Sequence, residues 1–129
     1  MDTNVILSGL LFSNSVPSKA INRATELGTI AVSEEVVSEY REVFARKKFD
    51  RFIGAEERRL LLNNFLLESK YFEIEETITE CTDAKDNKFL EVGVAASAAC
   101  LVTGDNALLV LHPFRTIPIL NAADFLRQF

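Results

Sequence analysis

Tryptophan is absent from this chain of 129 residues, and cysteine, proline and glycine are sparse, with two, three and five residues. Cys81 and Cys100 have no second cysteine or histidine near them in sequence, so they predict neither a disulfide framework nor a zinc motif but reduced thiols inside a cell. No apolar run approaches the roughly 20 residues of a membrane-spanning helix, and no secretory signal pattern opens the chain. We therefore expect one soluble, cytoplasmic domain over residues 1–129.

Basic residues are fewer than acidic ones: the chain has 14 Lys and Arg and 19 Asp and Glu, which gives a net charge of −5. Proteins that coat nucleic acid bind phosphates with an excess of Lys and Arg, so this charge argues against that class. It does not exclude an enzyme whose acidic site is neutralised by metal. The basic segment RKKFDRF at residues 46–52 could guide a phosphate backbone, or it could be only a solvated helix end.

Helical and extended patterns alternate along the chain. Helices are predicted at residues 16–28, 33–49, 54–70, 86–97 and 121–129, with a helical turn at 105–111. Short strands are predicted at residues 29–33, 71–75, 101–103 and 116–120. This order predicts an α/β fold with a mainly parallel central sheet covered by helices, and Pro118 should place the last strand at an edge.

Three acidic residues have positions that suggest one rim of this sheet. Ligands bind where the carboxyl ends of parallel strands meet, and Asp105 follows the predicted strand in LVTG. Asp2, in MDTNVILSG, is an acid followed by Thr and Asn before an apolar stretch, and this pattern suggests the same rim. Glu39 lies at the border of the apolar stripe of its helix and can therefore point inward.

Asp86 stands at the first turn of another helix, where the helix dipole stabilises its charge. It shares a helical face with Gly93 and Ser97, whose small side chains should let that face approach the sheet closely. Lys85 and Lys88 are expected on the outer side. Asp86 is therefore expected to reach the same rim.

Four carboxylates brought together repel one another unless a cation shares the space. Oxygen ligands favour Mg²⁺ or Mn²⁺ over zinc or copper. One ion, or two ions about 3.5–4 Å apart, would suit phosphodiester hydrolysis by activating water and neutralising phosphate charge. The alternative is a set of unrelated helix caps and turn acids.

Five segments in order, DTNVILSGLLF, SEEVVSEYREVFARKKF, DAKDNKFLEVGVAA, LVTGDNALL and TIPILNAADFL, resemble the PIN domain along nearly the whole chain. The sequence is most similar to the bacterial branch of VapC-related toxins of toxin-antitoxin systems. The resemblance implies a three-layer α/β/α fold and a metal-dependent endoribonuclease that cuts RNA. It also implies an antitoxin protein as a possible partner and a possible homodimer.

The resemblance also assigns roles to individual residues. The acids that would bind Mg²⁺ or Mn²⁺ and carry catalysis are Asp2, Glu39, Asp86 and Asp105. The neighbouring motif positions, which would support these carboxylates by hydrogen bonds, are Thr3, Asn4, Asn87 and Thr103. Asp83 is either an accessory acid or, as we expect, a turn residue before the helix.

The N-terminus departs from the family pattern. In the family a hydrophobic central strand precedes the first acid, whereas here only Met1 precedes Asp2, so we expect a truncated first strand. Either the gene starts upstream and Met1 lies within that strand, or the chain is a shortened form. In the second case, a free α-amino group beside Asp2 would partly replace the metal's charge and weaken its binding.

Two other function classes compete with an active nuclease. A catalytically idle PIN-like domain would act as a protein- or RNA-binding module, and weak metal binding with normal folding would favour it. Phosphotransfer proteins also place acids at strand ends. However, haloacid-dehalogenase phosphatases need a second Asp where this chain has Asn4, and the acid pair and lysine of response regulators are not evident.

Overall fold

The structure, a computed structural model, describes residues 1–129 and contains seven α-helices and four two-residue strands. The helices are α1 (Thr3–Leu11), α2 (Val16–Leu27), α3 (Glu34–Phe44), α4 (Ala55–Leu67), α5 (Asn87–Ala95), α6 (Asn106–Leu109) and α7 (Ala122–Gln128). The strands are β1 (Ala31–Val32), β2 (Lys70–Tyr71), β3 (Leu101–Val102) and β4 (Ile119–Leu120). None of the helices combines the length and the hydropathy needed to cross a membrane.

Both strand pairs are parallel, as predicted. β1 pairs with β2 and β3 pairs with β4, which leaves the Pro118-containing segment at an edge. Leu101 and Ile119 pack in the larger apolar cluster with residues of α3, α4 and α5, whereas Val102 and Leu120 pack in a smaller cluster with α1, α2 and α7. Successive side chains of a strand point to opposite faces, so helices cover this pair on both faces. The predicted α/β/α arrangement is confirmed.

Several predicted boundaries differ from the structure; the strands predicted at 29–33 and 116–120, for example, are only Ala31–Val32 and Ile119–Leu120. The helix predicted to reach residue 49 ends at Phe44, and a separate 3₁₀ turn follows at Lys47–Phe49. The strand predicted at residues 71–75 is only Lys70–Tyr71. Ser97, expected on α5, lies beyond its end with a left-handed φ of 48°, and the N–H groups of Ser97 and Ala98 bond back to Val94 and Gly93. This Schellman geometry terminates α5 before Ser97.

Hydrogen bonds from the Arg58 side chain fix the backbone of the basic segment at residues 46–52. This side chain is fully buried, and its guanidinium donates to the carbonyls of Phe44 and Ile53 and pairs with Asp50 at 2.9 Å. A buried charge needs such partners, because an unpaired one is costly. The exposed cations of the segment that form no ion pair are Lys47, Lys48 and Arg51.

The sheet is split between β1 and β3. A cleft of about 500 Å³ separates the two strand pairs, and most of its lining is apolar, including Ala31, Leu101 and Val102. One backbone bond crosses into it, from the N–H of Asp2 to the carbonyl of Val102 at 3.0 Å. A strand preceding Asp2 in a parallel ladder would run through this cleft.

The α-amino group of Met1 is enclosed at this cleft. Burial lowers the pKa of the amine, while the nearby Asp2 carboxylate and Cys100 thiol oppose that shift. The Tyr40 hydroxyl donates to the Met1 carbonyl at 2.6 Å, which fixes the backbone just before Asp2. The backbone at Met1 is therefore fixed at the edge of this mainly apolar cleft.

We predict that a four-residue apolar extension ahead of Met1, Val-Ile-Val-Val, stabilises the protein more than a Gly-Ser-Gly-Ser extension of equal length. The apolar extension can fill the cleft and pair with β3, and both extensions move the charged amine away. Burial at about 25 cal/mol per Å² predicts a gain of at least about 2 kcal/mol, or about 5–10 °C in Tm. Calorimetry measures the difference, and equal midpoints for the two extensions would contradict it.

Candidate metal centre

Five carboxylates collect where β3 ends and where four α-helices begin or pass. Asp105 caps α6 directly after β3, and Asp2 caps α1. Asp86 immediately precedes α5, Asp83 precedes the 3₁₀ turn at Ala84–Asp86, and Glu39 lies midway along α3. Helix N-termini favour negative charge, which helps three of these acids to stay close together.

Asp2 is held at both of its side-chain oxygens. One oxygen accepts from the Val5 N–H at 3.0 Å and caps α1, and the other accepts from the Thr103 hydroxyl. Thr103 is fully buried, and its hydroxyl oxygen also accepts from the Asp105 N–H at 3.0 Å. Thr103 therefore joins the first acid of the chain to the last one in the cluster.

Glu39 points inward and is also bonded at both oxygens. The Thr3 hydroxyl donates to one oxygen, and the Lys88 ammonium lies 2.7 Å from the other. The side chains of Lys88 and Glu39 are only 13% and 17% exposed. The prediction that Lys88 faces outward was wrong, because α5 packs against α3 as well as against the strands and buries a wider arc of its surface.

Asp83, Asp86 and Asp105 form the open part of the cluster. Each offers a carboxylate oxygen, and these oxygens lie within 4.8 Å of one another. Asp105 accepts from the Ala107 N–H at 2.9 Å, whereas Asp86 Oδ2 has no hydrogen-bond partner although Asp86 is 6% exposed. A buried polar atom without a partner is costly, so this oxygen is suited to a ligand.

Asp83 has the expected turn role through its carbonyl, which accepts from the Asp86 N–H at 3.0 Å, while its side chain makes no capping hydrogen bond. The sequence does contain a signal for its position. Asp83 and Asp86 are three residues apart, and side chains three apart in a 3₁₀ turn eclipse one another. The turn at Ala84–Asp86 thus brings both carboxylates to the same side.

The environment of Asp86 opposes its ionisation. Several effects raise the pKa of Asp86 to about 7, and burial is the largest of them. A hydrogen bond shared with the Asp105 carboxyl and the negative charges of Asp105, Asp83 and Glu39 contribute the rest. A cation at this position would reverse these charge effects.

Of the four residues expected to support the carboxylates by hydrogen bonds, two do so and two do not. Thr3 and Thr103 contact Glu39 and Asp2 directly. Asn87 instead accepts from the Cys81 N–H at 2.9 Å and so fixes the loop that carries Asp83. Asn4 is exposed and makes no hydrogen bond to a carboxylate.

Residues 1–107 match the family model described as the PIN domain. The chain belongs to the PIN domain family. It is also 30% identical over 114 residues to an uncharacterized protein of Methanocaldococcus jannaschii, covering 87% of this chain and 73% of the relative. No solved structure matches the chain. PIN domains are generally nucleases and typically bind divalent metals through acidic residues, so this PIN domain is assigned to a nuclease family with an acidic cluster.

The residues present fit a hard divalent cation. Oxygen-only donors favour Mg²⁺ or Mn²⁺, and the unpartnered Asp86 Oδ2 lies beside two further carboxylates. The cluster carries more negative charge than Lys88 can neutralise, which also favours a cation. Asp83, Asp86 and Asp105 would be the residues that hold it.

We predict that the metal-free PIN domain loses stability as the pH rises from about 4 to about 7. The folded-state pKa of Asp86 is about 7, above its ordinary value near 4, so its proton stabilises the fold at low pH and is lost through this window. Asp86→Asn should flatten this decline, and so should saturating Mn²⁺. Urea unfolding in EDTA at a series of pH values measures it, and identical profiles for wild type and Asp86→Asn would contradict it.

Proposed function

We propose that this PIN domain is a metal-dependent endoribonuclease that hydrolyses RNA phosphodiester bonds with Mg²⁺ or Mn²⁺. Asp2, Glu39, Asp86 and Asp105 form its catalytic cluster, and Asp83 joins them. The observation that carries the proposal is the buried Asp86 carboxylate, which has one oxygen without a partner and lies beside the carboxylates of Asp83 and Asp105. Such an atom is better explained by a ligand than by packing.

The chain's own residues set the geometry for this chemistry. When bound, the divalent cation supplies activation of water and neutralisation of phosphate charge. Thr103 and Thr3 hold the carboxylates of Asp2 and Glu39 in fixed positions. Asp83 and Asp105 are only partly buried and form the side of the cluster where a phosphodiester would approach.

The RNA substrate and the biological role rest on the resemblance to VapC-related toxins. We propose that the protein is the toxin component of a toxin-antitoxin system and acts in the cytoplasm, where both free cysteines would stay reduced. An antitoxin protein and a second copy of the chain are its proposed partners. The unpaired cations Lys47, Lys48 and Arg51 could assist RNA binding through their charge.

An idle PIN domain that only binds RNA or protein is the second candidate. It is favoured by the hydrogen bonds of Asp2 and Glu39, since all four oxygens of these two acids already have donors from the chain itself. A site that needs no cation at these two acids could have lost catalysis while keeping its fold.

We predict that the protein cleaves labelled RNA in Mn²⁺, that EDTA stops cleavage, and that Asp86→Asn lowers the rate by more than about 100-fold. The substitution removes a ligand charge while keeping the side-chain volume, and loss of metal-site groups has effects of at least this order. Gel analysis of end-labelled RNA measures the rate.

Asp124→Asn is the matched control, because it makes the same chemical change on α7, where Asp124 pairs with Arg127 away from the cluster. It should retain the wild-type rate. Full activity of Asp86→Asn would refute the assigned site. Tight Mn²⁺ binding without cleavage of any RNA would favour the idle domain.

A further inference from the structure

We propose that the cluster holds one divalent cation rather than two, because Lys88 supplies the second positive charge at Glu39. This inference rests on the proposed metal-dependent function and specifies its metal stoichiometry. Lys88 acts as a positioning residue, since it contacts the Glu39 carboxylate and not the bond to be cleaved.

Lys88 and Glu39 form a short, largely buried ion pair. Their side chains come from α5 and α3, their charged atoms lie 2.7 Å apart, and both are largely withdrawn from solvent. Pairs of this kind are screened far less than surface pairs, so the ammonium is a strong local charge. A second divalent ion at Glu39 would meet this ammonium at short range and be repelled.

The hydrogen bonds divide the five carboxylates into two groups. Glu39 and Asp2 have every oxygen occupied by donors of the chain, from Lys88, Thr3, Thr103 and the Val5 N–H. A cation there would have to displace them. Asp83, Asp86 and Asp105 include the only buried side-chain oxygen without a partner, on Asp86. The ion pair in this open group, between Lys85 and Asp83, is long at 3.9 Å and exposed, so a cation at Asp86 displaces no buried donor.

Charge balance gives the same division. Lys88 at Glu39 and one divalent ion at Asp86 would together bring three positive charges to five carboxylates. Lys85 lies 3.9 Å from Asp83, but its exposed charge is largely screened. Two-ion sites place their ions about 3.5–4 Å apart to clamp both sides of a phosphate. Here the Lys88 ammonium lies 2.7 Å from Glu39, so that side of the cluster already has a cation supplied by α5.

The test is the number of Mn²⁺ ions bound per chain, measured by titration with electron paramagnetic resonance of free Mn²⁺. The wild type should bind one ion. Lys88→Met, which removes the charge and keeps most of the apolar stem, should bind two. Lys19→Met is the control, because Lys19 is exposed on α2 and forms no ion pair, so the same change in net charge should leave one ion.

Circular dichroism checks folding, and Lys88→Gln replaces Lys88→Met if the latter does not fold. Two ions on the wild type, or one ion on both the wild type and the folded Lys88 variant, would overturn this inference and leave the proposed nuclease function standing. No bound ion on the wild type would overturn both. Lys88→Arg keeps the charge and should still bind one ion.

Discussion

The hydrogen bonds that fix Asp2 are the constraint on which the rest of the site depends. The side chain caps α1 and accepts from Thr103, while its backbone N–H donates to Val102 at the end of β3. These bonds join the N-terminus to a strand a hundred residues away in sequence. They also allow an anion to lie beside Asp105, because hydrogen bonds to the charged form offset its repulsion.

The same principle explains why one acid differs from its neighbours. Donors from the chain stabilise Asp2 and Glu39, and the Ala107 N–H stabilises Asp105. Asp86 lacks a donor at its buried oxygen, and burial together with the neighbouring carboxylates raises its pKa. Hydrogen-bond donors are therefore distributed unevenly among the acids. Asp86, which has an oxygen without a donor, lies where a cation fits. Perturbed acids of this kind are frequent at functional sites.

Local signals in the sequence predicted much of this arrangement. The Ser33 and Asn121 caps, the inward position of Glu39 and the parallel pairing of strands all follow from short patterns, and the structure contains each of them. The Lys88–Glu39 pair joins residues 49 positions apart, and helical periodicity places Lys88 outside because it cannot represent the packing of α5 on α3. Asp83 was expected mainly as a turn residue, because its position before α5 does not show on its own that the 3₁₀ turn brings its carboxylate to the side of Asp86.

The position of bound metal tests the account most directly. Anomalous diffraction from crystals soaked in Mn²⁺ would locate the ion independently of any activity. We expect one strong peak at about 2.0–2.3 Å from Asp86 Oδ2, in reach of Asp83 and Asp105, with the Lys88–Glu39 pair intact. An absence of density there at saturating Mn²⁺, or an ion bound only at Glu39, would contradict it.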